Sequence, residues 1–205
     1  MIELTEAQEA IKPIEPALVN GLTKAAENWE KLLQEQPELA LPLDATTRAN
    51  FIHDHACAEV THLTADADGV KLADGLGFFA ILVGEDIMLR MKFVGDGAPR
   101  NVATGQQKLL ARQAFTPEMI LALDGIQAPP TLLTCGYTLE GVAIGRIEIR
   151  RDCTGHPTWN YDIYGGEAIV EPLVIPGLTD TTKPAIVTST RKATEGESHA
   201  DAESA

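Results

Sequence analysis

The segment FIHDHACAEVTHL, residues 51–63, gathers His53, His55 and His62, three of the chain's five histidines, with Cys57 and Glu59. Imidazole, thiolate and carboxylate are the donors that hold zinc and related metals, so the first question is whether one ion can collect them. On a helix, His55 and His62 share a face but stand seven positions apart, about 10 Å along the axis. That is too far for a single ion, and Glu59 between them completes a triad only through distortion. His53 and Cys57 form an i, i+4 pair on the other flank. A pair falls short of a coordination shell. The expectation is therefore a packed helix flanked by polar residues, with no metal and no cofactor.

Other chemistry is equally sparse. The chain has no H-E-x-x-H, no phosphate-binding G-x-x-x-x-G-K-[ST], no dinucleotide-type G-x-G-x-x-G after a strand and no G-x-S-x-G. The glycines of GLGF precede a strand, the wrong context for a phosphate cradle. A metal-dependent nuclease needs carboxylates on neighbouring strands with a lysine nearby, and Glu85, Asp86 and Glu148 with Lys92 have the right types. Glu85 and Asp86 fall at a predicted hairpin tip, where charged residues are ordinary turn residues. Glu148 is flanked by Arg146 and Arg150, a pattern of cross-strand ion pairing.

Cations give the stronger signal. LRMKFVGDGAPRNVATGQQKLLARQ, residues 89–113, sets Arg90, Lys92, Arg100, Lys108 and Arg112 against Asp96 alone, within a chain of net charge −14. Arg90 and Lys92 alternate with apolar residues on one predicted strand, and Arg146 and Arg150 do so on another. If both polar faces belong to one side of one sheet, these cations converge, and Arg100, Lys108 and Arg112 extend the patch. Guanidinium groups match carboxylate and phosphate oxygens. The plainer alternative is a sheet with one solvated, charged face, or cations covered by acids of the N-terminal helix. Trp159 and Tyr161 share a strand face, and core packing is favoured for them over base stacking.

These residues need elements to position them. Leu18, Leu22, Ala25, Trp29, Leu32 and Leu33 recur at helical spacing up to Gln36, with Pro16 in the first turn and Pro37 as the stop. A second helix is expected over Thr47–Leu63, capped by Asp44 or Thr46, with Ile52, Ala56, Val60 and Leu63 buried. After TADADG the period changes to two. Val70–Ala73 reads as a short strand, and GFFAILV with IMLRMKFV reads as a hairpin. TGQQKLLARQAF has helical composition with Thr104 as a cap. TLLTCGYTL, AIGRIEIRR and TWNYDIY follow Pro129-Pro130 as a meander. The segment 165–178 adds an edge strand limited by its prolines.

The fold class expected is α+β: a helical N-terminal half, residues 1–65, packed on an antiparallel sheet made of the hairpin and the three-stranded meander. One domain spans residues 1–176. Residues 177–205, rich in Thr, Ser, Ala and acids, are expected to be a disordered tail.

Composition bounds the function. With 44% hydrophobic and 22% charged residues the chain can form a core. Thirty acids against sixteen bases disfavour general coating of nucleic acid. No run approaches the roughly 18 apolar residues of a membrane span, and MIELTEAQEA lacks the pattern of a secretory signal. A cytoplasmic location and no membrane association are the expectations. Cys57, Cys135 and Cys153, odd in number and without a C-x-x-C pair, read as buried thiols.

LRMKFVGDGAPRNVATGQQKLLARQ followed by PPTLLTCGYTLEGVAIGRIEI resembles a poorly characterised family of small bacterial proteins from mobile-element neighbourhoods. Its members are often encoded beside metallopeptidases of the ImmA/IrrE type. Leu89, Arg90, Lys92, Arg100, Asn101, Thr104, Gln106, Gln107, Gly136 and Tyr137 carry the resemblance, over about a third of the chain. The family has no established activity, and the resemblance implies a partner role in a phage-response or toxin–antitoxin-like module. The expectation is accordingly a non-enzymatic interaction or regulatory protein. It would engage another protein, or a nucleic acid through the basic patch. The alternatives are a metal-dependent nuclease and an acidic mimic of DNA.

Overall fold

Helical periodicity before residue 65 and alternation after it are both realised in the computed structural model, which describes residues 2–73, 77–94, 104–123, 126–153 and 156–164. The chain divides into Met1–Leu173 and Val174–Ala205. The second unit lies outside the described residues, as do the expected edge strand over 165–178, the expected tail and Arg100.

Four helices come first: α1 (Leu4–Ile11), α2 (Glu15–Glu35), α3 (Pro37–Ala40) and α4 (Ala45–Thr64). Pro16 enters the first turn of α2, where its missing N–H costs nothing. Leu18, Gly21, Leu22, Ala25, Ala26 and Trp29 are the buried stripe of α2. Gly21 is where α4 comes closest, for a Cβ there would meet Val60 Cγ2 at 2.6 Å. The Asp44 carboxylate caps α4 by accepting from the Thr47 N–H at 2.7 Å. Ile52, Ala56 and Val60 are buried as expected, but Thr64 continues the stripe and Leu63 is exposed. Thr64 is tolerated inside because its hydroxyl donates to the Val60 carbonyl at 2.8 Å.

Six strands then form one sheet in chain order: β1 (Val70–Leu72), β2 (Ala80–Val83), β3 (Ile87–Phe93), β4 (Thr131–Glu140), β5 (Ala143–Cys153) and β6 (His156–Asp162). The hairpin β2–β3 and the meander β4–β5–β6 are antiparallel as expected. Their junction is parallel, with Leu89 opposite Leu133 and Met91 opposite Cys135, so the sheet is mixed. Parallel neighbours need a crossover that returns over a sheet face. The crossover carries α5 (Gly105–Leu110), capped by Thr104, and α6 (Pro117–Leu121), capped by Thr116. The sequence had suggested only the first of these two helices.

The result is three layers. On one face the N-terminal helices bury Leu89, Met91, Leu133, Ile147 and Ile149, together with Trp159 and Tyr161. On the other, Leu110, Met119 and Leu123 cover Leu82, Met88 and Leu132. The expected wetter face of β3 is therefore covered at its centre. At the sheet margin β1 is three residues long, with Lys71 at its middle. No helix among the described residues is long and apolar enough to cross a membrane.

Candidate functional site

Arg90, Arg146 and Arg150 do come together on one side of the sheet, but they make no open platform. Arg90 is only 2% exposed and Arg150 only 1%. Arg90 donates to Thr134 Oγ1 at 3.1 Å and to Gln107 Oε1, on α5, at 2.9 Å. Arg150 holds Glu148 and Asp152, each at 2.9 Å. Half-exposed Arg146 reaches Glu148 Oε2 at 3.3 Å and Asp162 at 3.9 Å, and Asn160 donates to the same Glu148 oxygen at 3.1 Å. Two guanidinium groups, Arg146 and Arg150, thus meet three carboxylates, Glu148, Asp152 and Asp162.

The expectation of an exposed cationic surface is corrected here for Arg90 and Arg150. Gln107 of α5 and Thr134 of β4 engage Arg90 inside the fold, and acids of its own strand β5 neutralise Arg150. Burial holds Arg90 below the ordinary guanidinium value, with Asp152 opposing that shift and Arg150 adding to it. Asp162 is raised, by burial first, against the Arg146 charge that lowers it. Lys108 and Arg112, on and just after α5, remain exposed.

A second clamp binds the crossover to the sheet. β4 and β5 pair as far as Thr134 and Arg150. Beyond that point the Gln113 amide fills the gap: its oxygen accepts from the Leu132 N–H at 2.8 Å, and its nitrogen donates to the Leu132 and Asp152 carbonyls, each at 2.9 Å. Gln113 has φ of +56°, a left-handed conformation that a side chain disfavours. The three hydrogen bonds compensate.

The histidine segment behaves as helix-flanking polar residues. Cys57 Sγ lies 3.5 Å from His53 Nε2, His55 stacks on Phe51 at 4.2 Å, and Glu59 pairs with Lys24 at 3.1 Å. Burial pushes the Cys57 thiol up to about 12, so it is no thiolate nucleophile. Among the described residues, no group of three or more His, Cys, Asp or Glu side chains is placed to hold a metal ion. Glu85 and Asp86 are exposed at the β2–β3 turn. Lys92 lies six residues along β3 from Asp86, about 20 Å at roughly 3.3 Å per residue, so these groups do not share an ion.

Lys92 belongs to a different site. β2 pairs with β3 only as far as Arg90, so among the described residues no strand pairs with that edge of β3 beyond it. There a cleft of about 360 Å³ opens between the first half of α4 and the ends of β3 and β4. Arg48, His53 and Lys92 bring positive or ionisable nitrogen to it, while Phe93, Tyr137 and Leu139 make its apolar wall. Among the described residues, no carboxylate lines it. Neither Arg48 nor Lys92 has an ion-pair partner among the described residues. Two buried polar atoms at the site, Arg48 Nε and the Tyr137 hydroxyl oxygen, have no hydrogen-bond partner among the described residues.

The electrostatics agree with that accounting. Lys92 is held below the ordinary lysine value by burial first and then by the Arg90 charge. His53 is lowered by burial first and then by Lys92. Burial raises the Tyr137 hydroxyl, which keeps it a protonated donor. The site therefore offers N–H and O–H donors and net positive charge beside an apolar wall, which is the chemistry of anion capture.

Of the cations suggested by sequence that lie among the described residues, Lys92 alone lines this cleft. Arg48 was missed. Its position carried a signal, since a cation in the first turn of a helix opposes the helix dipole, and acids are favoured there. No family model, no curated protein and no solved structure matches this chain.

Proposed function

We propose that this chain is a non-enzymatic interaction protein that recognises a carboxylate-bearing partner in the cleft formed by α4, β3 and β4. The observation that carries this reading is that Arg48 and Lys92 have no ion-pair partner among the described residues, in a cleft that no described acid lines, within a chain of 30 acids and 16 bases. A cation held partly out of water without a counter-charge is unfavourable, and a bound carboxylate relieves that cost for both. Phe93, Tyr137 and Leu139 favour an anion attached to an apolar body over a bare phosphate backbone.

The likeness of the β3-to-β5 region to mobile-element proteins suggests a protein partner in a phage-response or toxin–antitoxin-like module, with a cytoplasmic setting. The nuclease alternative gains little from Glu85 and Asp86, which stand far from Lys92. Incubating the protein with DNA and RNA in Mg²⁺ or Mn²⁺ tests it.

The direct test of the cleft is titration with N-acetylleucine and its neutral amide, followed by NMR. The acid is expected to shift resonances of α4 and the β3 end, and the amide is not. Arg48→Ala with Lys92→Ala should weaken acid binding at least tenfold, given about 1.5–3 kcal/mol for a hydrogen bond to a charged group. Equal binding of acid and amide, or an unaltered double variant, refutes the proposal.

A further inference from the structure

The carboxylate cleft does not end at Arg48. Ala45 and Arg48 also line a second cleft of about 230 Å³, whose other walls include Trp29, Leu33, Leu41 and Leu43. The two clefts therefore flank the first turn of α4, one cationic and one apolar, with Arg48 common to both. Leu41 is 72% exposed and Leu43 41%. They stand in the short connection between α3 and α4, and no described element covers them.

Resting on the reading just given, we infer that the ligand is a polypeptide segment, with an acidic side chain held between Arg48 and Lys92 and an apolar side chain seated against Trp29, Leu41 and Leu43. A compact carboxylate fills the first cleft alone and leaves the leucines in water. A chain that crosses the helix turn uses both. A helix with its side chains is about 10 Å wide, and an extended chain covers that distance in about three residues. The recognised pattern is thus an acid and a large apolar residue separated by about three positions in an extended segment. Charge complementarity is direct: Arg48 and Lys92 are positive, and among the described residues no acid lines the first cleft and Asp44 is the one acid that lines the second. Asp44 is engaged in capping α4 through the Thr47 N–H.

The experiment uses the full chain and a dye-labelled, end-capped hexapeptide, Ala-Asp-Ala-Ser-Leu-Ala, measured by fluorescence anisotropy. Asparagine in place of its aspartate, and serine in place of its leucine, make the two control peptides. Both are expected to bind at least tenfold more weakly than the parent. Leu41→Ser with Leu43→Ser should weaken the parent peptide about tenfold while leaving N-acetylleucine binding unchanged, because both leucines are exposed and lie outside the first cleft. If the parent and the leucine-to-serine peptide bind alike, or the double leucine variant binds the parent normally, the two-cleft inference is overturned and the carboxylate site stands. If Arg48→Ala with Lys92→Ala changes neither ligand, the carboxylate site itself falls.

Discussion

Replacing Gln113 with alanine should be among the most damaging single changes available outside the apolar core. The amide of Gln113 bridges β4 and β5 beyond their last paired residues, serving the Leu132 N–H, the Leu132 carbonyl and the Asp152 carbonyl at 2.8–2.9 Å. Alanine leaves all three groups without that partner. At about 1 kcal/mol net for each hydrogen bond, the loss is about 3 kcal/mol. With a urea m value of about 2 kcal/mol/M for a domain of this size, the unfolding midpoint should fall by about 1.5 M. The m value itself should not change, since the surface exposed on unfolding is almost the same. Gln113→Glu is the informative companion. A carboxylate can still accept from the Leu132 N–H, but it has nothing to donate to the two carbonyls and sets a negative charge against them. It should be at least as destabilising at pH 7 and recover partly in acid, when the protonated carboxyl regains one donor. A loss under about 0.5 kcal/mol for Gln113→Ala would refute the bridging role, because it would mean that water replaces the amide without cost.

Arg150→Met should cost roughly 3–5 kcal/mol in urea unfolding, because buried Asp152 loses its cation and buried Glu148 keeps only the half-exposed Arg146. Lys92→Met should raise stability by roughly 0.5–2 kcal/mol at neutral pH by removing an unpaired, partly buried charge, while N-acetylleucine binding falls; a drop in stability would count against the ion accounting of the cleft. His53 has a folded-state value lowered from 6.5, by burial first and then by Lys92. The fold thus favours its neutral form, so its contribution is complete above pH 6.5 and is lost as pH falls through the lower folded value. Melting temperatures between pH 8 and pH 5 should therefore decline less in His53→Gln than in the parent, and identical slopes would exclude this residue as the source.

Local features of this fold were legible because their causes are local. The caps at Asp44 and Thr104, the alternation of β3 and the inward Trp159 and Tyr161 all follow from neighbours within a few positions. The fate of Arg90 was not legible in the same way. Its partners Gln107 and Thr134 are 17 and 44 residues away, and they meet it only because β3 pairs in parallel with β4. Alternation reveals which side chains share a face, but not whether a later crossover will cover that face. Placing α5 there turned an expected surface arginine into a buried one, held by Gln107 and Thr134. The carboxylate cleft was half legible. Lys92 was chosen for its charge, yet its setting depends on β2 being too short to cover the end of β3, and Arg48 arrives from a helix far away in sequence.

The shortness of β1 has a further consequence for how molecules of this protein meet one another. A long, flat outer strand is a template on which further chains can stack through backbone hydrogen bonds. β1 offers only Val70, Lys71 and Leu72, and the lysine at its centre sets like charges against each other whenever two such margins align. This side of the sheet is thereby protected from open-ended polymerisation, and lengthening the strand while neutralising Lys71 would make it a seed for fibres.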